Sequence, residues 1–229
     1  MDKSKYGKLI SFEGIEGSGK STLAQELYNY LTSQNYNVVF TREPGGTILG
    51  EKIRELLLDE NLEISDWSEL FLFLASRYEN TKNVILPNLK RGYIVISDRY
   101  LDSTVAYQGY GRGLSFKIIE MLNSISTMDI KPDLTFLIDI PEEISIERIK
   151  KKNLDRIESE TIEFYKKVRN GYLELAKNEP QRFIVLDGSL ELSKLKEEVI
   201  KSTMKLLGGE KWIWETFLFW YFLYFWVLP

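Results

Sequence analysis

Apolar positions along this chain follow two rhythms. Short, nearly unbroken apolar runs at residues 8–14, 37–41, 93–96, 134–140 and 183–187 predict five strands. Between them apolar residues recur every three or four positions, the period of a helix with one buried face. Leu23, Leu27 and Leu31 mark the first such helix, starting from Ser21. Residues 49–58 predict a second, with Ile53, Leu56 and Leu57 on one side. Asp66 is the expected N-cap of a long third helix through Trp67, Leu70, Phe71 and Leu74, which Pro87 and Gly92 should end by stages. Strands apolar on both faces, alternating with helices, predict an α/β fold: a doubly wound five-stranded parallel sheet flanked by helices. No repeat or low-complexity linker interrupts residues 1–208, which read as one domain.

Composition narrows the chemistry. With 229 residues, 44% of them hydrophobic, the chain can bury one sizeable core. The net charge of −4 implies no basic face for nucleic acid, so cations for an anionic ligand must be concentrated locally. There is neither cysteine nor histidine. That excludes disulfides, thiolate nucleophiles and the usual zinc sites, and removes the commonest general base near neutral pH. Catalysis must run on Lys, Arg, carboxylates, hydroxyls, backbone amides and Mg²⁺. Residues 1–8 are short and polar with no apolar signal region, so a cytoplasmic location is expected.

The first strand runs into Gly14, Ile15, Glu16, Gly17, Ser18, Gly19, Lys20 and Ser21, which fit GxxxxGK[ST], with Thr22 opening the helix. Such a loop curls its amides around phosphate and adds the positive end of a helix. Lys20 is expected to reach the β- and γ-phosphates of ATP, and the Ser21 hydroxyl to ligate Mg²⁺. The plainer reading is a glycine-rich turn that fits by chance, which the strand before it and the helix after it disfavour.

Asp98 and Arg99 follow the third strand, at the edge where open α/β sheets collect ligands. Asp98 can hold Mg²⁺ or its waters, and Arg99 can bridge an acceptor phosphate to the γ-phosphate. Alternatively the two are only a salt-bridged strand end. Arg148, Lys150, Lys151, Lys152 and Arg156 form a basic cluster that is either a solvated helix face or a helical lid closing over two polyanions. The missing histidine favours a phosphate acceptor. Its second pKa is about 6, so it is already anionic at neutral pH. A hydroxyl would need a base, although carboxylates could supply one.

From about residue 8 to 207 the sequence resembles the bacterial type of thymidylate kinase. The motifs that carry the likeness are FEGIEGSGKST at 12–22, TREPGGT at 41–47, DRY at 98–100 and STVAYQG at 103–109, with GRG at 111–113, PDL at 132–134 and LDRIE at 154–158. The resemblance implies a P-loop kinase with a helical lid that phosphorylates dTMP to dTDP with MgATP, usually as a homodimer. It implies that Phe73 stacks on thymine and Arg77 bonds its O4 edge, with Thr104 and Gln108 on the base and Ser103 supporting. It places Glu43 near the sugar, with the bond to Pro44 cis. Arg54 and Arg99 would hold the monophosphate, and Tyr107 would occupy the space of a 2′-hydroxyl. Glu16 in a P-loop without arginine resembles the class whose catalytic arginines sit in the lid, here Arg148 on the ATP side and Arg156. The lid is one residue shorter than in many relatives and has lysine where arginine is expected, which favours Arg156 over Lys152 as the transition-state cation. The alternatives are a kinase for another pyrimidine monophosphate, or a P-loop ATPase switch.

Residues 209–229 differ in kind. Four of the five tryptophans lie there, and 217–228 is an unbroken apolar and aromatic run. A helix of that length spans about 18 Å, short of a bilayer core of ~30 Å. Membrane-surface contact, packing on the body or a partner, and a frame or cloning artefact all remain open for this tail.

Overall fold

The computed structural model describes residues 7–149 and 155–208. The Lys150–Lys152 cluster and the 209–229 tail lie outside them. The five strands are β1 (Leu9–Glu13), β2 (Val38–Arg42), β3 (Ile94–Asp98), β4 (Leu134–Asp139) and β5 (Phe183–Asp187). They form one sheet in the order β2-β3-β1-β4-β5, and every pairing is parallel. This is the architecture that the apolar runs predict.

Alternation along the strands assigns the two faces. Ile10, Phe12, Ile94, Ile96, Leu134, Phe136 and Ile138 point to one side, against α1 (Lys20–Ser33) and α9 (Leu192–Leu206). Leu23, Leu27 and Leu31 of α1 are all buried there, as their four-residue spacing predicts. Leu137 and Ile140 turn the other way, toward Phe164, Tyr165, Val168 and Tyr172 of α8 (Ile162–Asn178). Leu9 and Val95 also face that side, over Ile85, Leu89 and Tyr100. Fully burying one such side chain contributes about 1.5–3 kcal/mol. The second face also carries polar residues, among them Ser11, Glu13 and Thr135, all without exposure. Buried polar groups require partners, and these partners shape the site.

Three details differ from the sequence reading. The α2 helix (Ile48–Leu58) buries Gly50, Ile53 and Leu57 as one stripe but leaves Leu56 48% exposed, because at 3.6 residues per turn it lies about 90° round the helix from the centre of that stripe. Helix α3 (Asp66–Asn80) has Ser65, not Asp66, at its cap; Asp66 is its first residue, where its charge favours the positive helix end. Pro87 does not stop that helix. A π-helical turn (Thr81–Ile85) precedes it and leads into α4 (Leu86–Lys90), and the wider turn makes room for the ring and its missing N–H.

The remaining elements are α5 (Leu101–Thr104), which runs into a second π-helical turn (Val105–Gly111), α6 (Phe116–Thr127) and α7 (Glu142–Ile149). Neighbouring strands β1 and β3 send their following chain in opposite directions across the sheet, which opens a crevice at their C-terminal ends. No helix among the described residues is long and apolar enough to cross a membrane.

Candidate functional site

That crevice is a cleft of about 470 Å³, lined from the P-loop, β2, α2, α3, β3, α5 and the turn at 155–158. Its floor is the loop between β1 and α1. Gly14 has φ 142°, and a Cβ there would sit 2.5 Å from the Ile138 carbonyl oxygen, so only glycine fits. Gly19 precedes α1 without any side-chain cap bond, so the first helical amides remain available to an anion. Lys20 is buried beside them. Burial, and then the positive charge of Arg99, hold its ammonium below the usual lysine range.

Two buried oxygens in this region have no hydrogen-bond partner: Ser18 Oγ in the loop and Asp98 Oδ1 at the end of β3. Asp98 lines the cleft together with Ser21. An unpartnered carboxylate oxygen and a hydroxyl beside a phosphate-binding loop are hard oxygen donors of the kind Mg²⁺ takes. The residues present therefore fit the metal.

Arg99 stands between the P-loop and the far wall. Its backbone is left-handed, φ 68°, a conformation that costs a side-chain-bearing residue about 1–3 kcal/mol. Its guanidinium donates to Glu16 Oε1 at 2.6 Å and Tyr107 Oη at 3.1 Å. It also donates to the Gly14 carbonyl at 3.0 Å, Ser103 Oγ at 3.1 Å and Tyr172 Oη at 3.0 Å. Tyr107 donates its own hydroxyl proton to Glu16. The P-loop glutamate, the strand-end arginine and the tyrosine thus form one bonded cluster.

The far wall holds Glu43, Pro44, Arg54, Phe73, Thr104 and Gln108. The Glu43–Pro44 bond is cis, and Arg54 Nη1 donates to the Pro44 carbonyl at 3.1 Å. Burial, and then the charge of neighbouring Arg42, lower the Arg54 pKa. Phe73 is only partly buried and presents itself to the cleft, although its neighbours Leu70 and Leu74 are core. Gly46, φ 77°, lies against Thr41 and Asn80 so closely that a Cβ would overlap both.

Several expected residues are placed less directly. Arg77 is 1% exposed and does not line the cleft. It donates to Glu43 at 2.7 Å, Thr104 at 2.7 Å, Asn123 at 2.9 Å and the Tyr100 carbonyl at 2.9 Å. Asn80 also donates to Glu43, so this carboxylate, raised by burial against the pull of Arg77, is fully engaged. Arg156 lies on α2 and α3. It donates to the Leu57 carbonyl at 2.9 Å and pairs with Glu69 at 2.8 Å, with its side chain outside the cleft lining. Arg148 spans the P-loop and the loop after β5, donating to the carbonyls of Gly17 at 3.0 Å and Gly188 at 3.3 Å. Gln108 gives its amide to Glu69 at 2.9 Å.

Other residues enter the site that sequence reasoning passed over. Arg42 and Gln25 line the cleft, and Arg42 stands inside TREPGGT at 41–47. Glu13 and Tyr172 lie directly behind Arg99. Glu69 gathers Gln108, Arg112 and Arg156. Glu13 had a local signal, as the residue before the loop, whereas Tyr172 had none.

A family model described as Thymidylate kinase matches residues 12–199. The thymidylate kinase of Sulfurihydrogenibium sp. is 49% identical over 203 residues, covering 86% of this chain and 96% of the relative. That of Kosmotoga olearia is 47% identical over 199 residues, with the same coverage of 86% and 96%. The crystal structure of thymidylate kinase from Ehrlichia chaffeensis superposes with a TM-score of 0.71 at 40% identity, covering 86% of this chain and 99% of that one.

Proposed function

Because the chain belongs to the thymidylate kinase family, we propose that its cleft takes MgATP on the P-loop side and dTMP against α3, and moves the terminal phosphoryl group between them. The reaction is phosphorylation of dTMP to dTDP, a step toward dTTP in both new synthesis and salvage. The observation that carries the reading is the position of Arg99, bonded at once to Glu16 of the P-loop and to Ser103 and Tyr107 of the acceptor wall. One cation there faces both phosphates.

In the step, an oxygen of the dTMP phosphate attacks the γ-phosphorus and the bond to the β–γ bridging oxygen breaks, leaving ADP with the electron pair. The attacking group is already anionic, so no base is needed and the absence of histidine is no handicap. Lys20 and the loop amides neutralise the β- and γ-oxygens. Ser21 and Asp98 would hold Mg²⁺, which when bound offsets charge on those same oxygens. Arg99 and Arg54 align the acceptor phosphate. Phe73 stacks on the base, with Thr104 and Gln108 at its edge, while Arg77 acts on O4 only through the one Nη2 hydrogen its partners leave over. We assign Arg148, bonded to the Gly17 and Gly188 carbonyls, to the ATP side of the cleft. For Arg156 to serve the transferring group, it must exchange Glu69 for it.

We assign a homodimer to the enzyme. Helices α3 and α6 pack on each other and leave Trp67, Phe71, Met121 and Ile125 exposed, an apolar surface suited to a second copy. Its place is the cytoplasm, with its nucleotides. ADP formation measured across a panel of monophosphates tests the substrate. A rate with dTMP at least tenfold above those with UMP and CMP is expected, and comparable rates would remove the specificity.

A further inference from the structure

The last residue of β1 turns its carboxylate onto the buried polar face of the sheet, behind Arg99 and out of the cleft lining. Glu13 has no exposure. Its Oε1 accepts the Tyr100 backbone N–H at 2.8 Å. Its Oε2 accepts the hydroxyls of Ser103 at 2.6 Å and Tyr172 at 2.9 Å. Those same two oxygens accept the Arg99 guanidinium.

A hydroxyl has one proton and two lone pairs. Ser103 Oγ and Tyr172 Oη also bond each other at 2.8 Å, so Glu13 anchors a bonded pair of hydroxyls whose remaining lone pairs are turned to Arg99. The Tyr100 amide, next in the chain, is fixed by the same carboxylate, which helps keep Arg99 in its left-handed turn. Glu13 makes no direct bond to Arg99, yet it fixes both the backbone and the acceptors that aim it. Glu16 pulls the same guanidinium from the cleft side, so Arg99 is suspended between two carboxylates.

We propose that Glu13 is a positioning residue for phosphoryl transfer, acting through Ser103, Tyr172 and the Tyr100 amide to hold Arg99 toward the junction of the two phosphates. The proposal rests on the reading of Arg99 as the phosphate-bridging cation. Charged and titratable groups around Glu13 are Asp102 on α5, Arg99 after β3, Tyr172 on α8 and Lys20 on α1. Burial, and then the negative charge of Asp102, push its carboxyl up to about 7. Assays at pH about 8.5 therefore address the ionised form.

The test is a double-mutant cycle on the full chain, with kcat, the KM for each nucleotide and the melting temperature measured for every variant. Glu13→Gln keeps the side-chain volume and an acceptor for Tyr100, but its amide cannot accept both hydroxyls. It should lower kcat about tenfold, the scale of one charge-assisted hydrogen bond, with the KM for ATP unchanged. In an Arg99→Ala background the same change should lower kcat no further, because its effect passes through Arg99. Losses that multiply in the double variant, or wild-type turnover in Glu13→Gln beside an impaired Arg99→Ala, overturn the proposal. Normal turnover in Arg99→Ala instead overturns the underlying reading of the cleft. Should Glu13→Gln fail to fold, Tyr172→Phe decides. It removes one relay hydroxyl at nearly constant shape, and an unchanged kcat would overturn the proposal as surely.

Discussion

Replacing Arg99 with alanine and, separately, with glycine separates its chemistry from its conformation. Both remove a guanidinium with five bonded partners and leave the Glu16 carboxylate facing the incoming phosphates without its counter-charge. Loss of one preorganised charge contact costs roughly 10²–10³ in kcat, or about 2.7–4 kcal/mol. The two variants should therefore lose turnover equally, in a coupled assay of ADP release with dTMP. Their stabilities should differ. At φ 68° alanine keeps the strain of the left-handed turn, whereas glycine does not. Glycine should be the more stable by about 1 kcal/mol, a difference of roughly 2–4 °C in melting temperature for a domain of this size. A folded alanine variant with turnover within threefold of wild type refutes the phosphate path drawn through Arg99. Equal melting temperatures refute the claim of strain, whatever the kinetics show.

Tyr107→Ala should narrow the preference for dTMP over its ribose counterpart if, as we propose, its ring fills the 2′ space; unchanged discrimination ratios would dismiss that role. Glu69→Gln should destabilise the fold by about 3 kcal/mol at neutral pH, since Arg112 and Arg156 lose a buried counter-charge. Burial raises the Glu69 pKa, but the hydrogen bonds and charge of Arg112 outweigh it and leave it below the normal 4.5. Its contribution is thus complete above that value and lost as pH falls through the lower folded-state pKa, so wild type and variant should converge in acid denaturation curves. A chain ending at Gly209 should phosphorylate dTMP at close to the full-length rate and be more monodisperse by light scattering, because the P-loop, acceptor wall and α9 are complete by Leu207. A large fall in kcat/KM in that folded chain would place the aromatic tail in the catalytic unit.

The parts of this molecule that were readable in its sequence are those whose determinants lie close together. The P-loop is eight consecutive residues between a strand and a helix, and the strands announce themselves because both faces are covered. Asp98 and Arg99 were legible for the same reason, at a strand end. Pro87 was misleading because a π turn, a feature without a sequence period of its own, lets the helix run on. Tyr172 was invisible because it meets Glu13 from 159 residues away. Arg77 and Arg156 illustrate another limit. A motif identifies an arginine, but the carboxylate that engages it, Glu43 or Glu69, depends on how α3 packs against the rest.

The π-helical turn at Val105–Gly111 sets a constraint on length as well as on composition. It carries Tyr107 and Gln108 to the cleft, then delivers Arg112 to Glu69 and Glu160. Removing one residue from it would regularise the helix and, at 3.6 residues per turn, rotate everything downstream by about 100°. Arg112 would leave Glu69, and Phe116 would leave Tyr110, against which its ring packs at 4.8 Å. A point substitution in this segment alters one side chain's contacts, whereas a single deletion displaces Arg112 and Phe116 together. Lineages that carry this cleft should therefore preserve the count of these seven positions.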